Sequence, residues 1–543
     1  MPPTRVFLLS LAVALAVAAP AAAATGPVAA PTELETRLDD PAGLKAAGRP
    51  LDPALIKPFY AGRGYTLAWT FAADADGGPL LTELQAAAAS QGLPPADYAI
   101  PTTASAVDHD LLVSDALARF GRDLATGRLP PSVFYGGLGP ETRPAFDAAA
   151  FLRRAAGGET PARLVAGLVP SDPAYARLVA ALARYRAIVR DGGWPAIADG
   201  PTIRPGQSDP RVAQIRLRLI ASGDLDRGTK PVAGTTLGPS IVAALKRFQQ
   251  RHGLDVDGSV GKRTRAELDV SAADRLHQIE ANLERWRFLP RMDEPTRITV
   301  NIPAQTLELV QDGRPALAMR VVVGDVKHQT PEMATAMTAV IVNPTWTIPP
   351  SIASKEILPK LRRDPNYLAA NNIHILDVFP DGSPAASGVG TDWAAYHGRF
   401  PYRLRQRAGP DNALGLIKFY LKDQDAIYLH DTPLRSYFKR SYRALSHGCV
   451  RVEKPMEMAG MLLGGDWAGK LPSAVAAKAT RTLRLDHPVP VYLLYWTAWA
   501  DTDGTVAFRD DLYGDDGRLL KALEHPRPAM AGQMAQAPPH TPL

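Results

Sequence analysis

The chain has 543 residues, 46% of them apolar, and a formal net charge of +6 at pH 7; it is too long for one hydrophobic core, so two to four folded domains are expected. The charge suits an acidic polymer or a membrane surface and, with no strong basic run, is too weak to argue for nucleic acid. The single cysteine, Cys449, excludes a disulfide within the chain and leaves an intermolecular bridge, an inert buried thiol or a reactive one.

The segment Met1 to Ala24 runs from Arg5 through the apolar stretch Val6 to Ala18 to a string of small residues ending at Ala24. That is the pattern of a secretory signal over 1–24, and the apolar stretch is short for a membrane anchor. Over 51–191 the apolar residues recur at helical spacing, as in Leu80, Leu81 and Leu84 or Leu111, Leu112, Ala116, Leu117, Phe120 and Leu124, which predicts a helical domain. Nothing there groups as a catalytic set, and His109 reads as a surface or satisfied histidine.

A second unit is expected over 205–270. Val212, Ile215, Leu217 and Leu219 suggest a first helix, Ile241, Leu245 and Phe248 one face of a second, and Thr264 and Leu268 a third. Gly253 is placed to cap the second helix in a left-handed conformation, and Asp257-Gly258 to turn the chain into the third. The run Val242 to Gly261 (VAALKRFQQRHGLDVDGSVG) resembles the small three-helix peptidoglycan-binding module. A linking helix over 274–290 then carries Leu276, Ile279, Leu283 and Trp286 on one face.

Beyond it the period changes to two. Ile298, Val300 and Ile302 alternate with polar residues, and Thr306 to Val310 leads through Asp312-Gly313 into Leu317 to Val323, a hairpin signal. Further strands are expected at Ala339 to Val342, Leu416 to Tyr420, Ala426 to His430 and Val489 to Trp496, so 297–500 reads as a mostly β domain. An interruption over about 349–407 reads as helix and loop, including Ile352 to Leu361 and a Gly/Ser-rich section from Asp381 to Gly390; its position makes it a candidate lid. The composition of 524–543 predicts disorder.

The chemistry gathers in Ser446-His447-Gly448-Cys449-Val450-Arg451 and in His430-Asp431-Thr432-Pro433 at the end of an apolar strand. A thiol attacks carbonyls as a thiolate, and a histidine is its commonest activator. His430 is the candidate proton acceptor and donor for the nucleophile Cys449, and Asp431 reads either as its orienting group or as a turn residue. His447 is a supporting group, Gly448 lets backbone amides approach an oxyanion, and Arg451 is placed either to bind a substrate carboxylate or to pair within the fold.

A histidine, fifteen residues and then Ser-His-Gly-Cys resembles the signature of the L,D-transpeptidase family. Val323-Gly324, Thr330-Pro331 and Asn412 to Phe419 (NALGLIKF) resemble other strands of its domain, and Lys454 departs from the asparagine many members carry. The order of parts is similar to that of the large periplasmic members: an α+β multidomain chain with a helical scaffold domain, a peptidoglycan-binding module, and a mostly-β catalytic domain with an inserted capping subdomain. The resemblance implies a periplasmic enzyme without cofactor or metal. In it Cys449 forms a thioester with a peptidoglycan stem peptide, which an amine of a second stem then attacks to make a cross-link. It also implies acylation of Cys449 by carbapenem-type inhibitors, and Ser446 joins Arg451 as a candidate substrate contact. Hydrolysis at the same site would make an L,D-carboxypeptidase. The rival classes are a zinc amidase using His430, His447 and Cys449, whose spacing is unusual for zinc, and a non-catalytic wall-binding protein.

Overall fold

The computed structural model describes residues 32–524 apart from 70–77, 104, 130–145, 227–233, 377–392, 394–395, 397–399, 401 and 423–426. The expected signal segment, the Gly/Ser-rich section of the insertion and nearly all of the expected disordered tail lie outside the described residues. Among these, no helix is long and apolar enough to cross a membrane. The architecture is α+β and multidomain.

The amino-terminal region is helical. Its central helix α1 (Ala106–Thr126) is capped by Ser105, whose hydroxyl accepts the Asp108 amide, and stops at Gly127, where φ is +79°. Leu111, Leu112, Leu117, Phe120 and Leu124 are fully enclosed by the shorter helices Pro53–Ala61, Gly78–Ser90 and Ala148–Ala156, each such side chain contributing about 1.5–3 kcal/mol. The long helix α2 (Pro173–Arg190) closes the region.

Three helices follow: α3 (Val212–Ala221), α4 (Pro239–Arg251) and α5 (Lys262–Asp269). Val212, Ile215, Leu219, Leu245, Phe248 and Leu268 form their core, but Leu217 is 57% exposed. It falls between the buried positions 215 and 219, about half a turn from their face. Gly253 and Gly258 have φ of +67° and +73°, as the capping and turn readings require. At Gly253 a Cβ would also lie 2.6 Å from Arg509 Nε, so the glycine lets the three-helix unit seat against the segment that carries Arg509.

Helix α6 (Ala272–Phe288) corrects the expectation of a linker with one apolar face. Ile279, Leu283 and Trp286 are buried as expected, yet so are Arg275, Gln278, Asn282, Glu284, Arg285 and Arg287. The apolar side packs on α2 and on the end of the β domain. Several of the polar groups bond other units: Gln278 and Asn282 bond Thr497 at 3.1 and 2.7 Å, and Arg285 pairs with Asp516 of α7 (Asp515–Glu524).

The β domain is built on β1 (Arg297–Asn301), β2 (Thr306–Gln311), β3 (Arg314–Gly324), β4 (Met333–Val342), β5 (Trp346–Ile348), β6 (Ile373–Ile375), β7 (Leu404–Gln406), β8 (Ile417–Leu421), β9 (Leu429–His430), β10 (Ala444–Ser446), β11 (Val450–Val452) and β12 (Arg481–Leu494). The main sheet runs β10-β3-β11-β9-β8-β4-β12-β1-β2, and β2 pairs again with β3, so eight strands close on themselves. The alternating side chains Ile298, Val300, Leu307, Leu309, Val321 and Val323 point into its interior.

The insertion holds more than helix and loop. β5, β7 and β6 form a separate three-stranded sheet, and a π-turn at Ala353–Ile357 leads into the helix Leu358–Arg363. Ile348, Ile357, Leu361, Trp393 and Phe400 give it a small core of its own.

Candidate active site

Two short parallel strands set the site. β9 pairs with β11 so that Leu429 faces Val450 and His430 faces Arg451, while β8 places Lys418 opposite His430 on the other side. Each strand ends at the motif: Thr432-Pro433 stops β9, and Gly448, with φ of +106°, turns the chain into Cys449 just before β11. A residue with a side chain is strained at that φ.

His430 is buried, and its Nδ1 lies 2.5 Å from the carbonyl oxygen of Asp431. Burial first, and then the Arg451 cation, push its pKa down to about 3. The ring is therefore neutral at ordinary pH; with Nδ1–H donating to the carbonyl, its basic lone pair is on Nε2. Orientation of His430 by the Asp431 carboxylate is not what the structure shows. That carboxylate accepts the Leu416 amide at 2.9 Å and pairs with Arg435 at 3.1 Å; the backbone of Asp431 does the orienting.

Cys449 is half-buried. Burial pushes its thiol above the ordinary value, opposed by the Tyr428 hydrogen bond and by the cations of Lys418 and Arg451. Tyr428 sits within hydrogen-bonding reach of both the thiol and the Trp346 indole, its ring meets that of His430 edge-on at 5.7 Å, and Lys418 Nζ lies 3.8 Å above its face. The thiol and the His430 imidazole are thus both uncharged at neutral pH.

The loop around the thiol is stapled. Ser446 Oγ donates to Cys449 O at 2.6 Å and accepts the Gly448 amide at 3.2 Å, and Thr330 Oγ1 donates to Gly448 O at 2.7 Å. Ser446 is buried and fully engaged, so it holds the loop instead of facing substrate, and the Gly448 amide expected for an oxyanion is occupied by it.

His447 is engaged by other segments. Its Nε2 is 2.6 Å from Glu356 of the insertion, and its ring lies 4.6 Å from that of His328, which in turn bonds Asp325 at 3.0 Å. Arg451 has a largely buried guanidinium whose Nε has no partner, and no carboxylate lies within ion-pair distance of it among the described residues. Its nearest aromatic face is Tyr437, at 5.9 Å. No group of three or more His, Cys, Asp or Glu able to hold a metal is found among the described residues. The three residues of the zinc alternative do not converge.

Sequence reasoning passed over Tyr428, Trp346, His328 and Glu356, and gave Thr330 no role at the cysteine loop. For Tyr428 a signal existed: two residues before His430 on one strand, it must share the histidine's face. The others arrive from distant segments.

Family models match three stretches of the chain: residues 295–482 match the L,D-transpeptidase catalytic domain, 54–182 a scaffold domain, and 208–268 a module described as "Putative peptidoglycan binding domain". A curated protein of Haemophilus influenzae, named "Putative L,D-transpeptidase", is 40% identical over 244 residues, 45% of this chain and 48% of that one. The chain thus spans about half the length of the curated relative it matches. Among solved structures, an L,D-transpeptidase from Mycobacterium smegmatis is 14% identical with a TM-score of 0.19, covering 37% of this chain and 58% of its own. One from Stackebrandtia nassauensis is 16% identical with a TM-score of 0.21, covering 55% and 96%. Likeness at those scores carries no weight beyond the family matches.

Proposed function

We propose that this chain, whose residues 295–482 match the L,D-transpeptidase catalytic domain, works in the periplasm as a cysteine-dependent L,D-transpeptidase on peptidoglycan stem peptides. The observation that carries the reading is the placement of the lone cysteine. Cys449 follows a stapled glycine turn, two strands in register carry it and His430, and Tyr428 touches both.

The steps balance as follows. The Cys449 sulfur attacks the carbonyl of the third stem residue as its proton passes to His430 Nε2. The carbon–nitrogen bond to the terminal D-alanine breaks, and His430 returns the proton to the leaving amine. The side-chain amine of a second stem then attacks the thioester, gives its proton to His430, and expels the sulfur, which is reprotonated. A buried, neutral imidazole suits both directions of this transfer. Because the resting thiol is un-ionised, deprotonation and attack are coupled. Arg451, a cation without a counterion at the site, is placed to receive a stem carboxylate. The 208–268 module would hold the polymer, and carbapenem-type β-lactams would acylate Cys449.

Intact-protein mass spectrometry of the chain with a disaccharide-tetrapeptide tests this, beside Cys449→Ala. A cysteine-dependent thioester adduct together with dimers linked through two third-position residues is expected. Tripeptide without dimers would make the enzyme an L,D-carboxypeptidase, and no cysteine-dependent change would leave a non-catalytic wall-binding protein.

A further inference from the structure

A cavity of about 840 Å³ lies far along the chain from the cysteine motif, where the amino-terminal helical region meets α6 and α7. Its wall is charged, with six arginines and seven carboxylates, and most of these pair off. Arg119 holds Asp115 at 2.7 Å, Arg128 holds Asp97 at 2.7 Å, Arg186 holds Glu280 at 2.9 Å, and Arg287 holds Glu284 at 3.0 Å.

Arg49 does not. Its Nη1 donates to the Ala99 carbonyl at 3.0 Å, and no carboxylate lies within ion-pair distance of it among the described residues. Burial and then the neighbouring Arg119 cation lower its pKa. On the acidic side Asp52 gives one oxygen to the Ala54 amide at 3.0 Å, while its other oxygen stands 4.0 Å from Arg122, at the limit of an ion pair. Buried Arg287 also keeps an Nε without a partner.

A half-buried cation with no counterion is costly. Its guanidinium fork matches the geometry of a carboxylate. The volume falls in the range that takes small molecules and short peptides. A loosely paired carboxylate three residues from Arg49 adds a seat for a cation. A ligand that presents both charges is a free amino acid or a short peptide.

We propose that this cavity is a second binding site, taking a short peptide whose free carboxylate is received by Arg49 and whose ammonium is received by Asp52. The site is separate from Cys449 and needs no chemistry there. Only the choice of a wall peptide as ligand rests on the proposed function.

The test is isothermal titration of the full chain carrying Cys449→Ala, so that nothing is turned over. The probes are trialanine, which assumes nothing about the wall, the wall tetrapeptide, and both peptides with their carboxylates amidated. Insoluble peptidoglycan is added in a parallel pull-down. Binding that Arg49→Gln weakens at least tenfold, that amidation abolishes, and that Arg451→Met leaves in place is the expected result. Trialanine bound as well as the tetrapeptide would mean a general peptide site and would leave the proposal standing whatever becomes of the transpeptidase reading. Retention by insoluble polymer alone, lost in Arg49→Gln, would assign the carboxylate to attached stems. Should Arg49→Gln not fold, Arg49→Lys and Asp52→Asn replace it, each expected to weaken binding severalfold. Equal binding by the parent and these variants, by the amidated probes, or no binding of any probe, overturns the proposal.

Discussion

Lowering the pH from 7 to 5 should cost the β domain about 2 kcal/mol through His430 alone. The imidazole titrates at about 3 in the folded chain because it is buried beside the Arg451 cation, and near 6.5 when unfolded. A folded value below the unfolded one means that the unfolded chain takes up the proton first. The stability present above pH 6.5 is therefore lost as pH falls through the window from 6.5 towards about 3. At pH 5 the folded ring is still neutral and the unfolded one is almost fully charged, a difference of roughly 1.5 pH units at about 1.4 kcal/mol each. His430→Asn keeps a donor near the Asp431 carbonyl and removes the titration. Native-state hydrogen exchange of the β9–β11 amides, Val450 among them, reports opening of the closed sheet at each pH once corrected for intrinsic rates. The wild type should lose about 2 kcal/mol more than the variant between pH 7 and 5. Equal losses, within about 0.5 kcal/mol, would refute the claim that His430 is held neutral by burial.

Further outcomes follow from the same geometry. Alkylation of Cys449 by iodoacetamide without substrate should keep rising through pH 9, since its thiol lies above its ordinary value of 9.0; a plateau between pH 6 and 8 would show a thiolate–imidazolium pair instead. Arg451→Met removes a cation that favours the thiolate and should slow alkylation at pH 7 about three- to tenfold. Ser446→Ala breaks both staples of the cysteine loop and should lower the transfer rate about ten- to a hundredfold, with thermal melting within a few degrees of the parent; an unchanged rate would remove the staple from the account. Gly253→Ala places a side chain at φ +67° against Arg509 and should cost about 1–3 kcal/mol, read as a lower Tm. Glu356→Gln neutralises the anion that meets His447, so amides in the insertion helix Leu358–Arg363 should exchange faster while those of the closed sheet do not.

The periodic parts of the chain were readable because a single element decides them. Ile298, Val300 and Ile302 alternate on one strand, and Ile241, Leu245 and Phe248 share a helix face, so sequence spacing and spatial side coincide. The thiol and His430 were readable as residue types at a spacing. What escaped depends on the meeting of distant segments: Trp346 reaches Tyr428, and Glu356 reaches His447, across separations no periodicity encodes. The orienting partner of His430 escaped for another reason. It is a backbone carbonyl, and every residue has one, so the carboxylate of Asp431 drew the inference while the peptide group does the work. The small sheet of β5, β6 and β7 was missed because three-residue strands are too short to establish an alternation.

Helix α6 bears on how the molecule can be divided. Its apolar stripe is shared by α2 and β12, its amides Gln278 and Asn282 are spent on Thr497, and Arg285 closes on Asp516. Cutting the chain at residue 290 to obtain the closed β domain alone would uncover Tyr492, Leu494 and Phe508 and leave Thr497 and Asp516 buried against nothing. The three units are consecutive in sequence but are keyed to one shaft, and an exchange of one for a homologous unit would have to bring the matching side of α6 with it.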